Sequence, residues 1–410
     1  MKRAIFSTVL LVVLVGLTSC GGDGSSDQPT TSEIKTRAIV SNSYVGSLNI
    51  IDYSRDLQSF TTINVGTQPR FMVLSKDRKL VLSVDGLSTV VAVNTETESV
   101  VGSVTLPNWT ESLVISPDNK TAWAAVPNAA VAGASQTGVI QPIDMTNWTL
   151  GTAIPVPLAR HVAMNNAGNK LVVLSDPTSQ VANPISVVDI TDVTKPQVTK
   201  RIPVGAGVDR PIRTAFGSDD AKAYILNCGR ECGGTSSSVS VLDVAAGALV
   251  AGSGVPVVAG SVLLLDGSNL YVAGTVPSTN QGALTVVSVS GTTLTASDPV
   301  AIGDGFHTTM LLAGNNKLLV GANPCSNEPV GGSETPKGCL TIFDTGTRKA
   351  VVQPAKGYVT GMSLVPKRNV VYVAEGEELR IYDTSTSAEF TGRFIDVFGS
   401  VSDVKVLDQQ

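Results

Sequence analysis

Two histidines occur in the whole chain, His161 and His307, and each opens a short apolar run: RHVAM from Arg160 and FHTTMLL from Phe306. Similar runs open on Arg70 (RFMVL), on Glu111 (ESLVI) and on Arg210 and Arg213 (RPIRTAF). An imidazole can act as base or ligand near neutral pH, and a guanidinium forks onto a carboxylate or a phosphate. Arg70, Glu111, Arg160, His161, Arg210, Arg213 and His307 therefore form one candidate ligand-binding set, provided that the fold brings the fronts of these runs together. No motif makes the set catalytic by itself. The chain has no Gly-rich phosphate loop, no G-x-S-x-G, no H-E-x-x-H and no C-x-x-C-H haem attachment. SPDNK (116–120) and GSDD (217–220) lack the spacing of a calcium loop and read as hairpin turns. No cofactor and no metal ion is expected.

The elements that must position these residues are strands. Valine, threonine and glycine dominate, helical periodicity is absent, and short alternating runs recur between turn residues. Aligned, the runs form a unit of four strands with a period of roughly forty to fifty residues, the signature of a propeller blade. The clearest strand of each unit ends at a turn-forming acid or its substitute, from LNIIDY (48–53) through VVAVNT, VIQPIDM, ISVVDI, VSVLDV, LTVVSV and LTIFDT to LRIYDT (379–384), which makes eight. The runs fronted by the candidate set are the innermost strands and line the mouth of a central channel. The last of them, within Ser400–Asp408, follows the final outer strand and has no unit of its own. It completes the first blade from the other end of the chain and so removes two open sheet edges. The expected fold is all-β: a propeller of eight four-stranded blades, with seven as the alternative, whose first blade is closed by the C-terminal strand.

YVAGT (271–275), YVAEG (372–376), SPDNK (116–120) and IPVG (202–205) resemble degenerate copies of the YVTN β-propeller repeat, spread over nearly all of residues 37–410. That resemblance implies a surface or periplasmic propeller with a binding role, most often seven-bladed, and no transferable catalytic residues. Trp109, Trp123 and Trp148 are too few for the tryptophan docking of quinone-cofactor propellers, and Trp123 reads as blade core.

The N-terminal segment MKRAIFSTVLLVVLVGLTSC has the basic start, apolar stretch and small residues of a secretory signal. Its end, Leu17-Thr18-Ser19-Cys20, resembles the lipobox of bacterial lipoproteins, which implies acylation of Cys20 and a membrane anchor. Gly21 after the cysteine favours the outer membrane or the cell surface over the inner membrane. Residues 1–19 are then signal, 20–34 a lipidated cysteine with a polar, flexible tether, and 35–410 the propeller domain. With Cys20 given to lipid, Cys228, Cys232, Cys325 and Cys339 form an even set for an oxidising compartment. Each adjacent pair brackets one Gly-rich loop and is expected as a disulfide. A four-thiolate metal site is the rival, disfavoured because CGREC is not C-x-x-C and the second pair is fourteen apart.

The hairpins between second and third strands are short in units one, two and eight. They lengthen in units three to seven: 127–138, 176–184, 228–238, 276–282 and 323–339. Elaborated loops on a stable scaffold are where binding usually resides. A net charge of −5 with 29 Lys+Arg argues against nucleic acid. The expectation is a monomeric propeller, tethered through its N-terminal lipid, that binds a protein, peptide or envelope glycan on the loop-rich face. The alternative is a lactonase-like hydrolase at the channel mouth, with Glu111 and His161 as acid–base pair and Arg70 as carboxylate clamp.

Overall fold

A run such as LVVL (171–174) can be wholly apolar only if both faces of its sheet are covered, and a ring of face-to-face blades supplies that cover. The computed structural model describes residues 31–205, 207–326 and 337–409. The signal segment, Cys20, the tether up to residue 30 and most of the loop between Cys325 and Cys339 lie outside the described residues. Eight antiparallel sheets follow one another, each with four main strands. In blades 2 to 8 the chain runs from the innermost strand outward, as in blade 4: 159–164, 170–175, 185–189 and 197–202. Blade 1 takes its second to fourth strands from 37–42, 47–52 and 57–64, and its innermost strand from 401–406. The count of eight and the closure by the C-terminal strand both hold; seven does not.

Burial follows radial position. Second strands such as Lys170–Ser175 and Lys222–Asn227 are buried along almost their whole length. The outer strand Leu57–Asn64 is largely exposed, and innermost strands are only partly covered because they face the channel. No single core exists. Each seam between blades carries its own apolar cluster: Trp123 and Ile140 of blade 3 with Leu171 and Val173 of blade 4, and Val40 and Ile51 of blade 1 with Tyr372 and Ile381 of blade 8. Trp123 is fully buried, as its strand position predicts. At the seam of blades 2 and 3 the Trp148 ring lies over Gly102, where a Cβ would stand 2.1 Å from the ring; only glycine admits the indole there.

Polar clamps hold the closing blade. The Asp403 carboxylate accepts from the Met72 N–H of blade 2 at 2.7 Å, and the Arg37 guanidinium donates to Asp408 at 3.0 Å and to Glu98 at 3.1 Å. On the other side Asp56 of blade 1 receives both arms of Arg368 at 2.7 and 2.8 Å, Arg393 at 2.9 Å and the Tyr372 hydroxyl. Burial alone would raise the Asp56 carboxyl, but these hydrogen bonds outweigh it and hold the group below the usual carboxylate range.

The two faces of the ring differ. One carries the links between blades and the hairpins joining second to third strands; the other carries the remaining hairpins. Ser32 bonds the Glu98 carboxylate through both its N–H and its hydroxyl, so the described chain begins on the second face, opposite the long loops. The expected disulfides form, with Cys228–Cys232 and Cys325–Cys339 each at 2.04 Å. One loop expectation is corrected. Residues 276–282 are not an elaborated loop: strands 269–276 and 281–290 run through them and leave a four-residue turn. Blade 6 has spent its extra residues on longer strands, whose added backbone pairs satisfy groups that a loop would leave to solvent.

Candidate functional site at the channel mouth

The innermost strands of six blades share one irregularity. In blades 1, 2, 4, 5, 7 and 8 the pairing with the second strand skips a residue: Ser402, Arg70, Arg160, Ile212, Thr308 and Thr360. Such a bulge frees the extra residue from the ladder and re-aims its side chain. Five of the six, all but Ser402, line a single cavity of about 740 Å³ at the mouth of the channel; the Ser402 hydroxyl is taken up by Ser41 and the Pro69 carbonyl. Blade 6 pairs without a skip and lends the cavity no residue. Its sector is filled instead by Glu231 and Cys232 from blade 5.

The wall is chemically lopsided. From blades 2 to 5 come Arg70, Glu111, Arg160, His161 and Arg213; across the ring, blades 7 and 8 present Thr308, Thr309 and Thr360. Arg160 is committed. It bonds Glu111 at 3.0 Å and Asp176 at 2.9 Å, and its guanidinium lies 6.0 Å from the Trp109 ring centre. Lys405 is likewise held by Asp403 at 2.8 Å. Arg213 has no carboxylate partner among the described residues, and its Nη1 donates only to the Ile212 carbonyl, at 3.0 Å. Its deep setting, and the like charge of Arg160 against the opposite charge of Glu111, pull its pKa down. An adjoining pocket of about 370 Å³ shares Arg213, Arg160, Glu111, His161 and Phe71 with the main cavity.

Both histidines are neutral at pH 7. Burial and the nearby Arg213 charge push His161 down to about 3, and burial pushes His307 down to about 4. The Nε2 of His161 accepts from the Thr214 N–H at 3.4 Å, and its Nδ1 lies 3.4 Å from the Ser112 hydroxyl.

Of the seven residues singled out from sequence, Arg70, Glu111, Arg160, His161 and Arg213 line the cavity, whereas Arg210 and His307 do not. His307 stands between Phe306 and Thr308, and strand alternation turns it into the wall. There it is buried, with Nε2 on the Gly303 carbonyl at 3.0 Å. Arg210, at φ +60° just ahead of Pro211, swings outward and donates to the carbonyls of Pro177 and Ser179. It lines a separate, mostly apolar groove of about 520 Å³ between the blade 4 and blade 5 loops.

Glu231 is one of the titratable lining residues that sequence reasoning missed, with Asp403 and Lys405. It rides a 3-10 turn, Gly229–Cys232, pinned by the Cys228–Cys232 disulfide. Its carboxyl lies against Gly260, Ser261, Gly274 and Thr275 of blade 6, without a well-formed hydrogen bond to any of them. Burial pushes it up to about 7. Its signal was present, a carboxylate held inside a five-residue cysteine loop, but which blade it leans on is a matter of ring geometry. Among the described residues no group of three His, Cys, Asp or Glu could hold a metal ion, and no helix is long and apolar enough to cross a membrane.

No family model matches the chain, and no curated protein sequence matches it. Solved structures are similar in fold. Dihydro-heme d1 dehydrogenase NirN in complex with DHE aligns with TM-score 0.64 and 15% identity, over 93% of this chain and 77% of that one. A functionally unknown protein from Desulfotomaculum acetoxidans DSM 771 aligns at 0.53 and 12%, over 92% and 100%. The Cps50 (Swd1) β-propeller domain of Myceliophteria thermophila aligns at 0.52 and 13%, over 77% and 97%. At these identities the likeness shows the β-propeller fold alone.

Proposed function

We propose that this protein is an extracytoplasmic binding propeller of the YVTN-repeat kind, anchored by lipid at Cys20, which engages a protein, peptide or envelope glycan on its loop-rich face. The observation that carries the reading is the convergence of five bulged residues on one cavity. That cavity opens on the face where blades 3, 4, 5 and 7 carry their elaborated loops, two of them stapled by disulfides. Five of the six skips turn a side chain toward the same cavity, and rigid loops lower the ordering cost of a docked partner. The disulfides fit an oxidising, non-cytoplasmic compartment.

The lactonase-like reading draws less support from the site. Its acid, Glu111, is in an ion pair with Arg160, and its base, His161, accepts from the Thr214 N–H. The test is photo-crosslinking in intact envelopes from Gln180 and Thr235 on the loop face, with Asp192 on the opposite face as control. Adducts from the first two positions and none from Asp192 are expected. Adducts from both faces alike, or from neither, would overturn the proposal. The anchor is tested separately: Cys20→Ser should export normally yet leave the detergent phase, and unchanged partitioning would remove the lipid from the reading.

A further inference from the structure

The wall of the channel-mouth cavity carries more positive charge than it neutralises. Arg70, Arg160, Arg213 and Lys405 line it; Glu111 and Asp176 hold Arg160, Asp403 holds Lys405, and the remaining lining carboxyl, Glu231, is pushed up to about 7 and so is only partly ionised at neutral pH. Arg70 and Arg213 make no ion pair among the described residues. An exposed arginine such as Arg70 needs none, since water solvates it. Arg213 is different: it is half-buried in the wall with one backbone carbonyl as acceptor and no ion pair among the described residues, and a partly desolvated cation is held better when a ligand anion completes it. This cation sits in a chain whose net charge is −5, so it is not the overflow of a basic surface.

The opposite sector has another chemistry. In an eight-bladed ring blades 3 and 4 face blades 7 and 8, so the charged wall looks across the cavity at Thr308, Thr309 and Thr360. Two of these, Thr308 and Thr360, are bulge residues. Among the described residues Thr309 makes no side-chain hydrogen bond, and those at Thr308 and Thr360 are long, 3.4 Å each. Phe306, partly exposed beside them, offers an apolar face. A pocket of about 740 Å³ suits one or two sugar rings rather than a protein segment.

We infer that this cavity binds a hydroxylated carboxylic acid of sugar size, such as a uronic acid, its carboxylate forked onto Arg213 and its hydroxyls on Thr308 and Thr360. The inference rests on the binding reading above and specifies the ligand class at its centre. A neutral sugar leaves Arg213 unpaired. A plain carboxylate fills the cation's need but not the hydroxyl wall.

The experiment is titration calorimetry of the full chain in detergent with glucuronate, digalacturonate, glucose, acetate and inorganic phosphate. Saturable binding of an acidic sugar is expected, at least tenfold tighter than acetate or phosphate, with none for glucose. Arg213→Gln should weaken it at least tenfold while the melting temperature stays level or rises, because the variant removes a half-buried cation that has no ion pair; a purely structural arginine would lower it. Thr308→Val with Thr360→Val should weaken the acidic sugar and leave acetate unchanged. Arg201→Gln, on an outer strand, is the neutral control. Absence of acidic-sugar binding by the folded chain, equal binding of phosphate, or binding indifferent to Arg213→Gln each overturns the inference. Should the sugar acid bind while crosslinks form from both faces, the partner reading fails and the site stands; the reverse pattern sinks the ligand class alone.

Discussion

Deleting residues 400–410 takes away the innermost strand of blade 1 and exposes the second strand that it covers. Val401, Val404, Val406 and Leu407 on it are each no more than 3% exposed. Full burial of such side chains is worth about 1.5–3 kcal/mol apiece, so the four contribute roughly 6–12 kcal/mol before any backbone pairing is counted. Whole domains are stable by only about 5–15 kcal/mol. The deletion also orphans the Met72 N–H, which donates to Asp403, and removes Asp408, one of the two carboxylates on Arg37. At roughly 2 cal/mol/K per residue, about 1 kcal/mol corresponds to 1–2 °C in a chain of this size, so the melt should fall by roughly 10 °C or more, or lose cooperativity altogether. Differential scanning calorimetry and size exclusion report both outcomes, with aggregation expected through the open edge. Val404→Ala calibrates the scale, because two lost methyls and a small cavity should cost about 2–3 kcal/mol. A truncated chain that stays monomeric and melts within about 3 °C of the parent would refute the idea that the ring is held shut by this strand.

Asp56→Ala should cost about 3–5 kcal/mol, because it leaves Arg368, Arg393 and the Tyr372 hydroxyl facing an empty site. Since the Asp56 pKa is depressed, its contribution is present above the ordinary carboxylate range and lost as pH falls through the folded value; the parent's advantage over the variant should shrink in acid melts. Glu231 and Glu375 behave oppositely. Burial pushes each up to about 7, so the folded state holds those protons longer than the unfolded one, and stability present below pH 4.5 declines as pH rises to about 7. Each is worth up to about 3 kcal/mol, and Gln at either position should flatten the melting profile between pH 5 and 8; an unchanged slope would count against the burial argument. Replacing Cys228 and Cys232 by serine should cost on the order of 2–3 kcal/mol. It should harm partner crosslinking more than the melt, because it frees the turn that carries Glu231. Non-reducing peptide mapping checks the pairing itself, and a Cys228–Cys325 link would refute it.

Blade count, strand order, the split first blade and both disulfides were legible in the chain, because each rests on local information. A doubly covered strand must be apolar throughout, as in Leu171–Leu174, a turn needs its aspartate or glycine, and a final strand without followers can only pair with the first unit. Candidate residues were legible only as positions at the fronts of innermost strands. A skip in the ladder changes which front residue meets the channel: Arg160 is bulged into the cavity, while His307, one place ahead of the bulged Thr308, is turned into the wall. A one-residue register shift reverses the facing of every side chain, and the composition of a strand does not encode it. Sequence likewise predicted a loop at 276–282 where blade 6 extends its strands, since threonine, glycine and valine serve either state until a neighbouring strand is in reach. The pairing of Arg160, the isolation of Arg213 and the seat of Glu231 on blade 6 belong to tertiary structure alone. They join residues of different blades, and only closure of the ring sets the distances between them.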